Sequence, residues 1–196
     1  MNSEQVLRKA ALFATEGTKT KSPDEVVSAL LAAEKEAKKH KISYSLEQLI
    51  GTWRLCFITG TKKTRKRAGI ILGSGKYIPR SLYITITYDK DKDSQPNIGT
   101  VTNCVDLKLI KLSLSGPIKF VTPQNILAFD FTKMELKLGG ITLYNGYIRS
   151  GKQKEASFAT DPLKKQAFFS YFFIDQSAIA ARGRGGGLAL WSRLDH

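Results

Sequence analysis

The stretch Leu49-Ile50-Gly51-Thr52-Trp53-Arg54-Leu55-Cys56-Phe57-Ile58 decides the fold, because a helical preface ends there and a first β-strand begins. A glycine followed by tryptophan at the start of a strand suits the floor of an antiparallel barrel. Gly51 lets the backbone pass close beneath that floor, and the large ring of Trp53 plugs it. The pattern draws its weight from its surroundings: capped helices before it, about eight strand-like runs after it, and a glycine-rich signature near the C-terminus.

Upstream, Ser3 is placed to cap a first helix that carries Val6, Leu7, Ala10 and Phe13 at helical spacing and ends near Gly17. Ser22-Pro23-Asp24-Glu25 is a stronger start, with a hydroxyl cap, proline at the first helical position and a glutamate placed to return the capping bond. That helix turns Val26, Val27, Leu30 and Leu31 toward the core, and its end, Glu34-Lys35-Glu36-Ala37-Lys38-Lys39, reads as an exposed charged face. A short turn from Ser45 to Gln48 delivers the chain into Gly51. Residues 1–48 are expected to pack on the barrel formed by residues 49–196, within a single domain.

Downstream the period changes to two. Leu82, Ile84 and Ile86 face one way while Tyr83, Thr85 and Thr87 face the other, as in a half-buried strand. Residues 89–97 are a polar turn, and strand-like runs follow over 98–106, 107–114, 118–122, 126–138, 141–149, 168–174, 177–182 and 188–193. Gly139-Gly140 and Asn145-Gly146 are turn or bulge positions. Short strands joined by tight turns, without intervening helices, predict a mainly β fold: an antiparallel barrel of about eight to nine strands whose closure removes exposed edges. At that size the interior holds one small ligand or is filled by side chains. Leu82, Ile84, Ile86, Phe129, Phe131, Phe169 and Phe173 are the residues expected to line it, about half of them free to face the helices instead, because a one-residue register shift reverses every side chain.

With 196 residues and 42% hydrophobic content the chain is long enough for one domain with a sizeable core, and no apolar run approaches the roughly 20 residues of a membrane span. Met1-Asn2-Ser3-Glu4-Gln5 resembles neither a secretory signal nor a transit peptide, so the chain is expected to be made where it works or to be already processed. Cys56 and Cys104 each lie in a strand-like run and are read as buried free thiols of a reducing compartment.

The charge of +14 marks a preference for anionic surfaces. Its densest cluster is Lys62, Lys63, Arg65, Lys66 and Arg67, followed by the apolar Ala68-Gly69-Ile70-Ile71-Leu72. Read as the long first loop of the barrel, each of these charges contributes about 1 kcal/mol near an anionic bilayer. A solvated loop that keeps the protein soluble and a nuclear-targeting signal remain alternatives.

Catalytic patterns are missing from the sequence. His40 ends a charged helix and His196 is the last residue, so neither ring is positioned for chemistry, and no Cys/His spacing makes a metal set. No nucleophile elbow or phosphate-binding loop occurs, and Asp106, Asp130, Glu135 and Asp175 cannot be paired from sequence. A non-enzyme is expected, with Asp175 more readily read as a buried carboxylate facing an arginine. Arg182-Gly183-Arg184-Gly185-Gly186-Gly187 invites a nucleic-acid reading, but the tract is brief and lies between two apolar strand-like runs, which favours a hairpin turn.

The helical preface, the Leu-x-Gly-x-Trp-Arg-Leu first strand, and the aromatic strand ending in Asp175, followed by Ile179-Ala180-Ala181-Arg182-Gly183 and a glycine turn, together resemble the plastid lipid-associated protein or fibrillin family of cyanobacteria and plastids. The resemblance covers nearly the whole chain and is strongest over residues 49–58 and 172–191. It implies a lipocalin-like barrel on the cytoplasmic side of a thylakoid membrane or in the plastid stroma. It further implies a bound lipid, prenylquinone or carotenoid, with anionic thylakoid lipids and photosynthetic membrane complexes as partners. By similarity Gly51, Trp53, Asp175, Arg182 and Gly183 occupy the family's recurrent positions. Where the family commonly places an acidic pair and Leu-Arg, this chain has Gln176, Ser177, Ala178 and Ile179, which leaves Arg182 as the expected partner of Asp175 or of the Trp53 ring.

The expected function is thus a non-catalytic carrier of an apolar lipid, quinone or pigment, with Trp53, Asp175, Arg182, Phe129, Phe131 and Phe173 at the ligand or barrel floor and the 62–67 cluster against the membrane. Alternatives are a ligand-free scaffold or assembly factor, a bilin chromophore lyase, and a nucleic-acid-binding protein.

Overall fold

A computed structural model of the chain describes residues 2–17, 21–60, 75–90 and 96–194. The basic cluster Lys62, Lys63, Arg65, Lys66 and Arg67 lies outside the described residues.

The preface folds as helices α1 (Ser3–Ala11), a single turn α2 (Phe13–Glu16) and α3 (Pro23–Lys39). The α1 cap is Asn2, not Ser3: its side chain accepts the Gln5 amide at 2.9 Å, and Gln5 returns the bond. Ser22 and Glu25 make the expected capping box at α3. Helix α3 departs from its sequence reading at two positions. Leu31 is 48% exposed, while Glu34, read as part of a solvated end, is 8% exposed. The inward stripe of Val26, Ala29, Leu30, Ala33 and Ala37 carries Glu34 along its margin, where a partner on the barrel meets it.

Among the described residues eleven strands follow: β1 (Gly51–Ile58), β2 (Lys76–Tyr77), β3 (Tyr83–Asp89), β4 (Ile98–Asp106), β5 (Ile110–Val121), β6 (Ile126–Phe129), β7 (Lys133–Leu138), β8 (Ile141–Tyr147), β9 (Ala167–Ile174), β10 (Ala178–Gly183) and β11 (Leu188–Arg193). Eight of them close an antiparallel barrel in the order β4-β3-β1-β11-β10-β9-β6-β5, with β5 returning to β4. Strand β2 pairs with β1, and β7 and β8 extend the sheet from β5. The runs 107–114 and 118–122 are one long strand, β5, and the run 126–138 is two, β6 and β7. The cause is a change of partner: β5 pairs with β6 over Ile118–Val121 and with β7 over 110–115. Gly116 marks the switch, since a Cβ there would lie 2.0 Å from the Asp130 carbonyl oxygen.

Gly139 and Gly140, at φ +55° and +86°, make the β7–β8 turn. Asn145 and Gly146 lie within β8, and the bulge falls between Leu136 and Lys137. A short helix α4 (Gly151–Ser157) and a 3-10 turn (Leu163–Lys165) interrupt the succession of strands between β8 and β9. The Arg/Gly tract is the expected hairpin turn between β10 and β11, closed by the Gly183 N–H donating to the Gly187 carbonyl at 2.9 Å.

Among the described residues the buried side chains form two apolar clusters. One lies between the helices and the outer face of the barrel, where Leu7, Val26 and Leu30 meet Cys56, Phe57, Phe172, Phe173 and Leu190. The other fills the barrel and contains Trp53, Ile86, Tyr88, Val101, Ile118, Leu127, Phe129, Tyr171 and Trp191. Phe173 therefore faces the helices, not the interior: a bulge between Ala180 and Ala181 shifts the β9 register and sets it against the outward Ala180. Leu82 precedes β3 in a turn.

Candidate functional site

One end of the barrel is shut. The chain before β1 tucks Leu46 and Leu49 beneath the interior, both fully buried, and Gly51 enters the first strand at φ +123°. A side chain there would meet the Arg193 guanidinium, 2.7 Å from an added Cβ, so position 51 is reserved for glycine by conformation and by space. Trp53 stands above, fully buried, with its indole N–H donating to the Leu49 carbonyl at 2.7 Å. Over its ring, 4.1 Å from the centroid, lies the guanidinium of Arg193. Tyr88 and Tyr171 join hydroxyls at 2.6 Å across the interior, and burial pushes both phenols above their ordinary range. This half of the barrel is packed with side chains.

The opposite end is the mouth. Pairing of Tyr83 with Asp106, and of Ile110 with Leu138, brings the start of β3, the β4–β5 turn and the β7–β8 turn to the same end. Here the sheet β3-β4-β5-β7-β8 runs on past the closed barrel as an open extension, the flare, because β7 has replaced β6 beside β5. Strand alternation carries the inner face outward along this flare. Ile84, Val105, Leu112, Leu114, Met134 and Leu136 lie in line with the buried Ile86, Val101 and Ile118, and are themselves half-buried. Asn103 brings a polar amide into that row. The other face of the flare is polar, with Lys111, Ser113, Ser115, Lys133, Glu135 and Lys137.

An aromatic layer separates the packed floor from the mouth. Phe129 stacks on Phe169 at 5.0 Å between centroids, Phe131 lies 5.4 Å from Phe129, and Trp191 meets Phe169 edge-on at 5.5 Å. Of the six residues read from sequence as ligand or floor positions, the structure places Trp53, Phe129 and Phe131 with the interior, whereas Phe173, Asp175 and Arg182 lie elsewhere. The structure adds Leu112, Leu114, Met134, Leu136 and Asn103, which the sequence alone does not mark. The alternation in Leu112-Ser113-Leu114 and in Met134-Glu135-Leu136 was the available signal; it lacked a register.

The two outlying charges have partners other than the expected ones. Arg182 does not reach Asp175 or Trp53. It forms a two-pronged pair with Glu34 of α3 and donates to the Gly186 carbonyl at 2.6 Å, tying helix to barrel. The Arg182 hydrogen bond, opposed by burial, holds the Glu34 carboxyl below its usual range. Asp175 takes Arg8 of α1 and accepts the Ser177 and Ala178 amides at 2.7 and 2.8 Å. Burial would raise its carboxyl, but those amides and Arg8 outweigh it and leave the group below the ordinary range. Both ion pairs dock the preface, and neither touches the mouth.

Among the described residues no group of histidine, cysteine or acidic side chains is arranged to hold a metal ion. Cys56 and Cys104 are free thiols, the first buried and the second half-buried. A groove of about 440 Å³ lies outside the barrel between α3 and β9, lined by Lys38, Lys41, Pro123 and Phe172 among others.

No protein-family model matches this chain, and no curated protein does. Among solved structures it is similar to a redesigned β-barrel, at 9% identity and a TM-score of 0.36, over 79% of this chain and 98% of the designed one.

Proposed function

We propose that this protein is a non-catalytic carrier that takes an apolar lipid, prenylquinone or carotenoid into the flared mouth of its barrel. One observation carries the reading: a single continuous apolar face runs from the fully buried interior onto the half-exposed flare, with the Phe129–Phe169–Trp191 layer beneath it and a polar amide, Asn103, within it. Binding sites for small apolar molecules have this composition, mostly hydrophobic with few polar groups to set orientation. The resemblance to the plastid lipid-associated family supplies the ligand class and a thylakoid surface as the place of work, with the basic cluster at 62–67 as an electrostatic attachment to anionic lipid.

The filled floor favours a second reading, a ligand-free scaffold for membrane complexes, because it confines any ligand to the mouth half. Titration of the purified protein with the fluorescent fatty acid cis-parinaric acid separates the two. A carrier gives saturable binding, displaced by decyl-plastoquinone and weakened at least about tenfold by Leu114→Asp, which puts a charge in the apolar row. Absence of saturable binding by the folded protein leaves the scaffold.

A further inference from the structure

The β4–β5 and β7–β8 turns protrude side by side at the mouth, and they are unlike ordinary solvent-facing turns. The first is Leu107-Lys108-Leu109-Ile110 and the second Leu138-Gly139-Gly140-Ile141. They are joined, since the Gly139 N–H donates to the Leu109 carbonyl at 2.8 Å. Leu109 and Ile141 are each 70% exposed, Leu143 is 57% exposed, and Leu107, Ile110 and Leu138 are exposed beside them. Monomeric proteins scatter single exposed aliphatic residues, but a contiguous cluster of this kind marks a surface that is covered in use.

Three features indicate what covers it. The aliphatic groups stand together on hairpin tips, the placement that lets several of them enter a fluid apolar phase at once. Exposed Lys108 and Lys111 flank the tips on a chain of net charge +14, which complements an anionic surface. Tyr144, 40% exposed, lies about 10 Å behind the β8 tip at the rise of an extended strand. A tyrosine at that depth suits the boundary between acyl chains and head groups, where its ring is dry and its hydroxyl wet.

We infer that the paired β4–β5 and β7–β8 tips insert into the interface of an anionic lipid bilayer and seat the barrel mouth on it. The inference rests on the carrier reading for its purpose, since it places the apolar mouth where an apolar ligand dissolves. Aliphatic tips reach the shallow acyl region, and the lysines remain among the head groups.

The test uses the full chain and vesicles of phosphatidylcholine with or without phosphatidylglycerol. Expected is cosedimentation with the anionic vesicles, weakened at least about tenfold by the double change Leu109→Glu and Ile141→Glu, which replaces apolar contact with two like-charged repulsions. These side chains are mostly in water, so the fold and cis-parinaric acid binding are retained; that retention separates a failed insertion site from a failed carrier. A dye on Leu109→Cys, made in a Cys104→Ser chain with Cys56 buried, shifts its emission to the blue when anionic vesicles are added. Vesicle binding unchanged by the double substitution overturns the inference, as does a dye that stays in water while the protein sediments. A concentration-dependent dimer abolished by the same substitution also overturns it, by assigning the tips to a second copy of the chain.

Discussion

Replacing Tyr88 by phenylalanine removes one hydroxyl from the middle of the barrel and leaves its neighbour behind. The two oxygens are 2.6 Å apart, and the residues are 1% and 2% exposed. A satisfied buried hydrogen bond contributes little net stability, because the unfolded groups bond to water; a buried hydroxyl stripped of its partner costs about 1–3 kcal/mol. Tyr88→Phe and Tyr171→Phe are each expected to destabilise by about that amount. The double substitution, which leaves nothing unpaired, should cost clearly less than the sum, with a coupling of about 1 kcal/mol or more. In urea, with a slope of roughly 2 kcal/mol/M, each single change lowers the unfolding midpoint by about 0.5–1.5 M. Equilibrium unfolding followed by circular dichroism measures all four corners of the cycle. Two single losses under about 0.5 kcal/mol that simply add would refute the pairing, and with it the account of the floor as a packed and mutually satisfied interior.

The preface should be pH-sensitive with a defined sign. Glu34 and Asp175 have lowered carboxyl pKa values in the folded state, so the unfolded chain binds more protons at acid pH. Their contribution is complete above about pH 5 and is lost as pH falls through the depressed folded values; Glu34→Gln with Asp175→Asn should flatten the dependence of melting temperature on pH in that window. Gly116→Ala places a methyl against the Asp130 carbonyl oxygen at 2.0 Å, which requires the backbone to move. A loss of about 1–3 kcal/mol in urea unfolding is expected, whereas Gly139→Ser, with open space around it, suffers only the backbone cost of its positive φ.

The departures from the sequence reading share a cause. Phe173 and Phe172 are adjacent aromatic residues, and the β9 bulge, invisible in the order of residues, sends Phe173 to the helices. Glu34 reads as one charge in a solvated run until the β10–β11 hairpin brings Arg182 against it, 148 positions away in sequence. Asp175 and the Trp53 ring each meet a cation, and the cations come from α1 and from the end of β11, not from Arg182. Opposite charges find partners by proximity in space, and no local pattern encodes that proximity.

What the sequence determined by itself is what depends on near neighbours. The Ser22–Glu25 capping box, the Ser45–Gln48 turn, the Gly139-Gly140 and Gly183–Gly187 hairpins and the period-two strands all follow from interactions within a few residues, and together they impose a barrel with helices ahead of it. Only the tertiary structure decided which half of the barrel is filled. That outcome turns on β5 exchanging β6 for β7 at Gly116, a choice of long-range partner that keeps Phe129 of β6 within the barrel and carries the apolar face of β5 onto β7 beyond it.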